Sequence, residues 1–130
     1  MYNQFYNACK NGNIIELQNV LPQISDINKP NEKGWNAIIL AAFNHHLEII
    51  KLLLQNGADI NSTNTNGTTV FMYAKTKVLE NNNYEILDFL LANGAAINAR
   101  DLKNNWTVLD YVKQTNHQPL INYLINKGAE

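Results

Sequence analysis

A five-residue segment recurs along this chain at near-regular spacing, and each full copy follows an apolar stretch with helical periodicity. Gly-Ala-Asp-Ile-Asn occupies 57–61 and follows 47–54, and Gly-Ala-Ala-Ile-Asn occupies 94–98 and follows 84–91. A shortened copy lies at 128–129, and a degraded one lies at 24–28. A unit that recurs about every 33 residues cannot bury its apolar face alone, so successive units must stack. The sequence therefore predicts an all-α solenoid with one elongated core.

Each unit contains two helical patterns separated by breaks. In the second unit the first helix carries apolar residues at i, i+3 and i+4 (Ile38, Ala41 and Ala42), small enough for a neighbour to approach closely. A second helix follows over 47–54 and ends near Gly57, since glycine readily adopts the left-handed backbone of a helix terminus. Asn66-Gly67 then signals a tight turn into the next unit.

These motifs resemble the ankyrin repeat family over nearly the whole chain. The first-helix motif of that family, Thr-Pro-Leu-His, matches weakly: Thr69 and Thr107 keep its first residue, but its proline and histidine are missing from every copy. In the family those residues help to tie turns to helices through hydrogen bonds, so we expect modest stability. The resemblance implies one domain of four repeats, at about 1–30, 31–63, 64–100 and 101–130, with capping copies at both ends.

The third unit is longer than the second. Gly34 and Gly67 are 33 residues apart, whereas Gly57 and Gly94 are 37 apart, so four extra residues lie between the third unit's two helices. Val78 and Leu79 continue the apolar spacing of the preceding helix, which predicts one additional turn. The three asparagines at 81–83 predict a polar loop. Such an insertion can serve recognition or reflect neutral variation in length, and both interpretations stay open.

Composition favours a globular protein without cofactor or metal chemistry. The formal net charge of −1 gives no global attraction to nucleic acid or anionic membranes, and no apolar run is long enough to span a bilayer. The single cysteine excludes a disulfide framework within the chain, and the first residues lack the features of a signal peptide. We therefore expect a monomer that binds no cofactor, metal, nucleic acid or membrane and resides in the cytoplasm, or in a host cytoplasm after delivery.

The side chains that could perform chemistry are better explained by structure. His45 and His46 are adjacent, so they point apart and make a poor metal pair. The ankyrin resemblance makes His46 a structural histidine and puts His45 at a glycine position, which implies local strain. Cys9 falls at a packed position of the first helix, so we expect a buried thiol. No histidine is placed to activate Ser25 or Ser62. The sequence predicts that the protein is not an enzyme.

The resemblance also implies where a partner would bind. Ankyrin repeats generally recognise folded proteins through the tips of their hairpins and through the concave surface of their first helices, which we call the inner face. The residues at these positions are Glu32, Lys33, Trp35, Phe43 and Asn44 in the second repeat, Thr65, Asn66, Thr68 and Lys77 in the third, and Lys103, Trp106 and Gln114 in the fourth.

Two tryptophans stand out within this candidate surface. Trp35 and Trp106 occupy the same place in two repeats, directly after the hairpin tip. The ring of Trp35 either packs over its own hairpin or forms an exposed aromatic patch with Phe43, and aromatic side chains of the latter kind are typical of interface hot spots. For Trp106 we favour packing.

Charge is expected to be divided between the two faces of the solenoid. Seven basic residues fall at hairpin tips or on the inner face: Lys10, Lys33, Lys75, Lys77, Arg100, Lys103 and Lys113. They are opposed there mainly by Glu32, Asp101 and Asp110, whereas the second helices are mostly acidic. A basic inner face would select a partner with an acidic patch, and the alternative is an ordinary solvated surface.

These features predict a non-catalytic protein–protein interaction module that binds a folded protein through its hairpin tips and inner face. One alternative is a dedicated inhibitor or immunity protein that occludes the active site of a toxin or enzyme. A regulatory subunit of an enzyme and a purely structural spacer are the other two.

Overall fold

The computed structural model describes residues 1–130 and contains eight α-helices and no β-strand. One short 3₁₀-helix covers Leu21–Gln23, and a single antiparallel bridge joins Thr63 to Thr69. The predicted all-α fold is confirmed. The helices are α1 (Tyr2–Asn11), α2 (Ile14–Val20), α3 (Ala37–Phe43), α4 (Leu47–Gln55), α5 (Val70–Asn81), α6 (Glu85–Ala92), α7 (Val108–Lys113) and α8 (Gln118–Asn126).

The helices pair along the chain and the pairs stack. Each odd-numbered helix packs against the helix that follows it, and α1, α3, α5 and α7 pack against one another in chain order to form the inner row. The remaining helices form the outer row, in which α2 contacts α4. One apolar core runs through all eight helices, and residues 37–42 of α3 are buried within it. This is the elongated core that the repeat period predicts.

Capping side chains explain where the inner helices begin. Asn36, Thr69 and Thr107 each accept a hydrogen bond from the backbone amide three residues further on, at 3.1, 3.1 and 3.2 Å. The Asp110 carboxylate accepts the amide of Thr107 in return at 2.9 Å, which completes a capping box. These caps satisfy amides that the helix itself leaves free, so α3, α5 and α7 begin directly after the first motif position although the motif proline is missing.

The three hairpins are held by their first residues and by two tyrosines. Oδ1 of Asn31, Asn64 and Asp101 each accepts two backbone amides of its own hairpin at 2.9–3.1 Å. The Nδ2 group of Asn64 also donates to the hydroxyl of Tyr73 at 2.7 Å, and the hydroxyl of Tyr111 donates to the carboxylate of Asp101. These bonds join hairpins to inner helices where the motif histidine is missing.

A row of asparagines joins successive repeats through the last residue of the recurring segment. The Nδ2 groups of Asn28, Asn61 and Asn98 donate to the carbonyl oxygens of glycines 57, 94 and 128, at 3.4, 3.1 and 3.1 Å. Their Oδ1 atoms accept the amides of residues 59, 96 and 130, at 2.9, 2.9 and 3.0 Å. We call this row the asparagine ladder. Each side chain therefore makes one donor and one acceptor bond to the next repeat.

The insertion in the third unit extends α5, as predicted. This helix has 12 residues, against 7 in α3 and 6 in α7, and Val78 in its added turn is fully buried. The predicted asparagine loop is partly wrong, because Asn81 is the last helical residue. Asn82 then ends the helix in a left-handed conformation with φ of 54°, which asparagine tolerates better than most residues.

The adjacent histidines and the cysteine have structural roles. His45 has a φ of 58°, which confirms the expected strain, and its Nε2 donates to the carbonyl of Ala74 at 2.7 Å. The Nε2 of His46 donates to the carbonyl of Lys10 at 2.9 Å. Cys9 is fully buried, and burial raises the pKa of its thiol to about 12. The imidazoles of His45 and His46 thus bind α5 and α1, the inner helices on either side of α3. The Cys9 thiol packs in the core.

Candidate functional site

A groove opens on the inner face between the first repeat and the second hairpin. Its volume is about 550 Å³. One wall is α1 and the other is the hairpin with the end of α3, which pack against each other through the α1–α3 contact. Its lining includes Tyr6 and Lys10 from α1, Glu32, Lys33 and Trp35 from the hairpin, and Phe43 and Asn44 from α3. Five of the predicted site residues therefore share one groove.

An aromatic cluster forms one side of this groove. The ring of Trp35 meets that of Phe43 edge-on with centroids 5.3 Å apart, and it lies 4.5 Å from the ring of Tyr73 on α5. Trp35 and Phe43 are each partly exposed, so they pack and still offer aromatic surface to a ligand. Trp35 therefore packs on rings of α3 and α5, and its exposed part lies beside the partly exposed ring of Phe43. Tyr73 was not predicted from the sequence, since only the stacking of α5 on α3 brings it to the cluster.

Trp106 lies apart from the groove. Its ring packs edge-on against Tyr111 of its own repeat, with centroids 4.9 Å apart. The favoured packing interpretation agrees with this contact. Leu102 on the fourth hairpin is 79% exposed and was also missed, although an apolar residue in a polar hairpin is a usable signal.

The other predicted site residues lie along the hairpin tips and the inner helices. Thr65 approaches the second hairpin beside Gly34, and the carbonyl of Asn66 accepts the amide of Leu102 at 2.8 Å, so neighbouring tips touch. Thr68 donates its amide to Asn64, whereas Lys103 and Gln114 on the fourth repeat are exposed. None of these residues lines the groove. From α1 the groove adds Asn3, Tyr6 and Asn7, which the sequence did not single out as site residues.

Two of the three acids that were expected to oppose the basic residues, Asp101 and Asp110, make contacts within the chain. Asp101 was expected to oppose the lysines, yet it is only 3% exposed and its carboxylate holds the fourth hairpin. Burial raises the pKa of this carboxyl group, but hydrogen bonds from Tyr111 and from backbone amides outweigh it and lower the pKa overall. Asp110 pairs with Arg100 at 3.7 Å. The expected opposition is therefore wrong for Asp101, and Glu32 is the unpaired acid left in the groove.

The lysines of the inner face and hairpins make no ion pair. No carboxylate oxygen lies within 4.0 Å of the ammonium groups of Lys10, Lys33, Lys75, Lys77, Lys103 and Lys113. On the outer row, in contrast, Lys51 pairs with Glu48 at 3.3 Å and Lys127 pairs with Asp88 at 3.8 Å.

No group of three or more His, Cys, Asp or Glu side chains is arranged to hold a metal ion. None of the eight helices combines the length and apolar character that crossing a membrane requires.

Comparison with known proteins agrees with this architecture. Residues 5–101 match a family model described as ankyrin repeats in three copies. The chain is 36% identical over 67 residues to the NAD-capped RNA hydrolase NUDT12 of Homo sapiens, which is 51% of this chain and 14% of that protein. It is 36% identical over 63 residues to a protein of Acanthamoeba polyphaga mimivirus named for its ankyrin repeats (45% and 11%). It is 33% identical over 54 residues to the mitochondrial disaggregase of Homo sapiens (42% and 8%).

The matches to these relatives cover about half of this chain and a small part of each relative, as expected when proteins with different names share a repeat. The matched family model, in contrast, spans most of the chain and coincides with the stacked helix pairs α1 to α6. Repeats of this kind generally mediate protein–protein interactions and are typically non-catalytic. The chain belongs to the ankyrin repeat family.

Proposed function

We propose that the four helix pairs form one domain of four repeats, bounded at about residues 30, 63 and 100, that acts as a non-catalytic protein-binding module. It recognises a folded protein through its hairpin tips and inner face, as a monomer. The observation that carries this proposal is the groove of about 550 Å³ lined by the partly exposed rings of Trp35 and Phe43. Aromatic side chains that are held rigidly and still exposed are frequent anchors of protein interfaces.

The groove also has the polar groups that an interface needs. Lys10 and Lys33 contribute cations without ion-pair partners, and Glu32 contributes one acid. Asn44 uses its Nδ2 group to bond the carbonyl of Leu40 at 2.9 Å, which leaves its Oδ1 atom for a ligand. Aromatic side chains together with polar groups at the rim are the usual composition of a protein interface.

The test is affinity capture from the native cell, followed by mass spectrometry and by binding measurements with the purified partner. Replacing Trp35 and Phe43 together with alanine should weaken binding at least about tenfold, on the scale of one or two hot-spot residues. Tyr123→Ala is the matched control, since that partly exposed ring lies on α8 of the outer row, outside the proposed surface. Circular dichroism must show that both variants remain helical. Equal affinity of the wild type and the groove variant would refute the proposed site.

A second arm separates the modes of action. If the captured partner is an enzyme or a toxin, its activity is measured with and without an equimolar amount of the chain. Loss of activity identifies an inhibitor, and full activity in the complex identifies an adaptor.

The free buried thiol of Cys9 is typical of reducing compartments and supports a proposed cytoplasmic location.

A further inference from the structure

α5 carries two lysines on the inner face, and one of them stands where an equivalent helix has a buried alanine. Counted from the capping residues Asn36 and Thr69, Lys75 takes the position of Ala42, which is fully buried in α3. Lys75 is itself partly buried, and this burial lowers the pKa of its ammonium group. A partly desolvated cation in place of a core alanine opposes folding unless something compensates it.

The compensation within the chain is confined to aromatic rings. Nζ of Lys75 lies 5.4 Å from the ring centre of Tyr111 on α7, and Nζ of Lys77 lies 5.3 Å from that of Phe43 on α3. Neither ammonium group has a carboxylate oxygen within 4.0 Å. The two side chains thus lean in opposite directions from α5 and hold two cations across the middle of the inner face.

Two lysines of the outer row also lie over aromatic rings, and each of them pairs with an acid. Nζ of Lys51 lies 5.6 Å from the ring of Phe89 and pairs with Glu48, and Nζ of Lys127 lies 5.6 Å from the ring of Tyr123 and pairs with Asp88. A lysine held over a ring can therefore coexist with an ion pair in this fold. The lysines of α5 differ from these two in lacking the carboxylate.

The acids near α5 do not pair with Lys75 or Lys77. Asp101 is buried in its hairpin, and Asp110 pairs with Arg100. Glu80 lies on α5 itself, yet it is not within 4.0 Å of either lysine ammonium. Lys113 takes the position of Lys75 on α7 and adds a further positive charge. No acid of the chain is therefore placed to pair with Lys75 or Lys77.

We propose that Lys75 and Lys77 are the recognition site for an acidic segment of the protein partner, whose carboxylates bind the two ammonium groups. This inference rests on the proposed function and adds the chemistry of the partner. A protein segment is favoured over nucleic acid because the formal net charge of −1 gives the chain no global attraction to a polyanion of high charge density. Carboxylates that complete two partly desolvated cations gain more than they would on an exposed surface.

The experiment uses fluorescein-labelled poly-L-glutamate as the probe and fluorescence anisotropy as the readout. The double variant Lys75→Met/Lys77→Met keeps the apolar stems and removes both charges. Its matched control, Lys51→Met/Lys127→Met, removes two lysines that also lie over rings but already have acids. We expect the first pair to weaken binding at least about tenfold and the control less than about twofold. Labelled oligouridylate of similar charge is the competing ligand class.

A measurement of stability separates recognition from a structural role. Because Lys75 replaces a core alanine, Lys75→Met should leave the melting temperature unchanged or raise it by a few degrees. A lower melting temperature together with unchanged affinity would mean that the lysine is structural and would overturn the inference. Equal weakening by both double variants, or tighter binding of oligouridylate than of poly-L-glutamate, would also overturn it. If native capture through the groove succeeds while poly-L-glutamate fails to bind, this inference fails and the proposed function stands.

Discussion

The asparagine ladder gives a quantitative test of how the repeats are joined. Asn61 donates to the carbonyl of Gly94 at 3.1 Å and accepts the amide of Ala96 at 2.9 Å. Asn61→Ala therefore removes two bonds between the segments that follow the second and third helix pairs. A hydrogen bond contributes a net 0.5–1.5 kcal/mol, and these two are exposed, so the lower end applies to each, or about 1 kcal/mol together. In a domain of this size that corresponds to a fall in melting temperature of roughly 3–5 °C.

The assay is urea unfolding followed by circular dichroism, with Asn19→Ala as the control. Asn19 lies exposed on α2 and makes no side-chain hydrogen bond, so its replacement should change the free energy of unfolding by less than about 0.5 kcal/mol. Asn28→Ala and Asn98→Ala should resemble Asn61→Ala, because each removes the same pair of bonds. If Asn61→Ala unfolds at the same urea concentration as Asn19→Ala, the ladder does not contribute to stability and the reasoning is wrong.

Two further predictions concern the first repeat. Gly12→Ala should destabilise the fold by about 1–3 kcal/mol, because φ at this position is 75° and an added Cβ would lie 2.7 Å from the His46 ring. If the variant and the wild type unfold at the same temperature, this steric argument fails. The buried thiol of Cys9, with its pKa raised from 9.0 to about 12, should resist alkylation at pH 8 until urea unfolds the chain. Because the folded thiol keeps its proton longer, its contribution to stability is present below pH 9 and is lost as the pH rises from 9 towards 12. Alkylation of the native chain as fast as the unfolded one would contradict both statements.

Much of the fold follows from local patterns in the sequence. The helical spacing over 47–54 and 84–91 predicts α4 and α6, and the recurring glycines mark their ends. The added turn of α5 was predictable because Val78 continues the apolar spacing of the helix. An apolar residue at that spacing can be buried on the same face only if the helix continues as far as Val78. The strain at His45 was predictable from its place at a glycine position.

Most of the missed features depend on how separate segments pack, either within one repeat or between repeats. Asp101 reads as a surface acid from its neighbours in the sequence, yet the packed hairpin and the Tyr111 hydroxyl enclose it. Tyr73 reaches the aromatic cluster only because α5 stacks on α3. Similarly, the groove takes one wall from α1, and no local pattern states which side chains will face one another across two repeats. Helix α5 extends to Asn81 because the left-handed residue that ends it is Asn82.

The added turn of α5 has a consequence for folding. Repeats of equal length can dock out of step during folding, because each surface accepts a neighbour from the wrong place in the chain. The 12-residue α5 lies between inner helices of 7 and 6 residues, so shifting it by one repeat would leave the buried Val78 without its partners. The one irregular repeat therefore makes misaligned stacks less stable than the native order, and it helps a nearly periodic chain to specify a single arrangement.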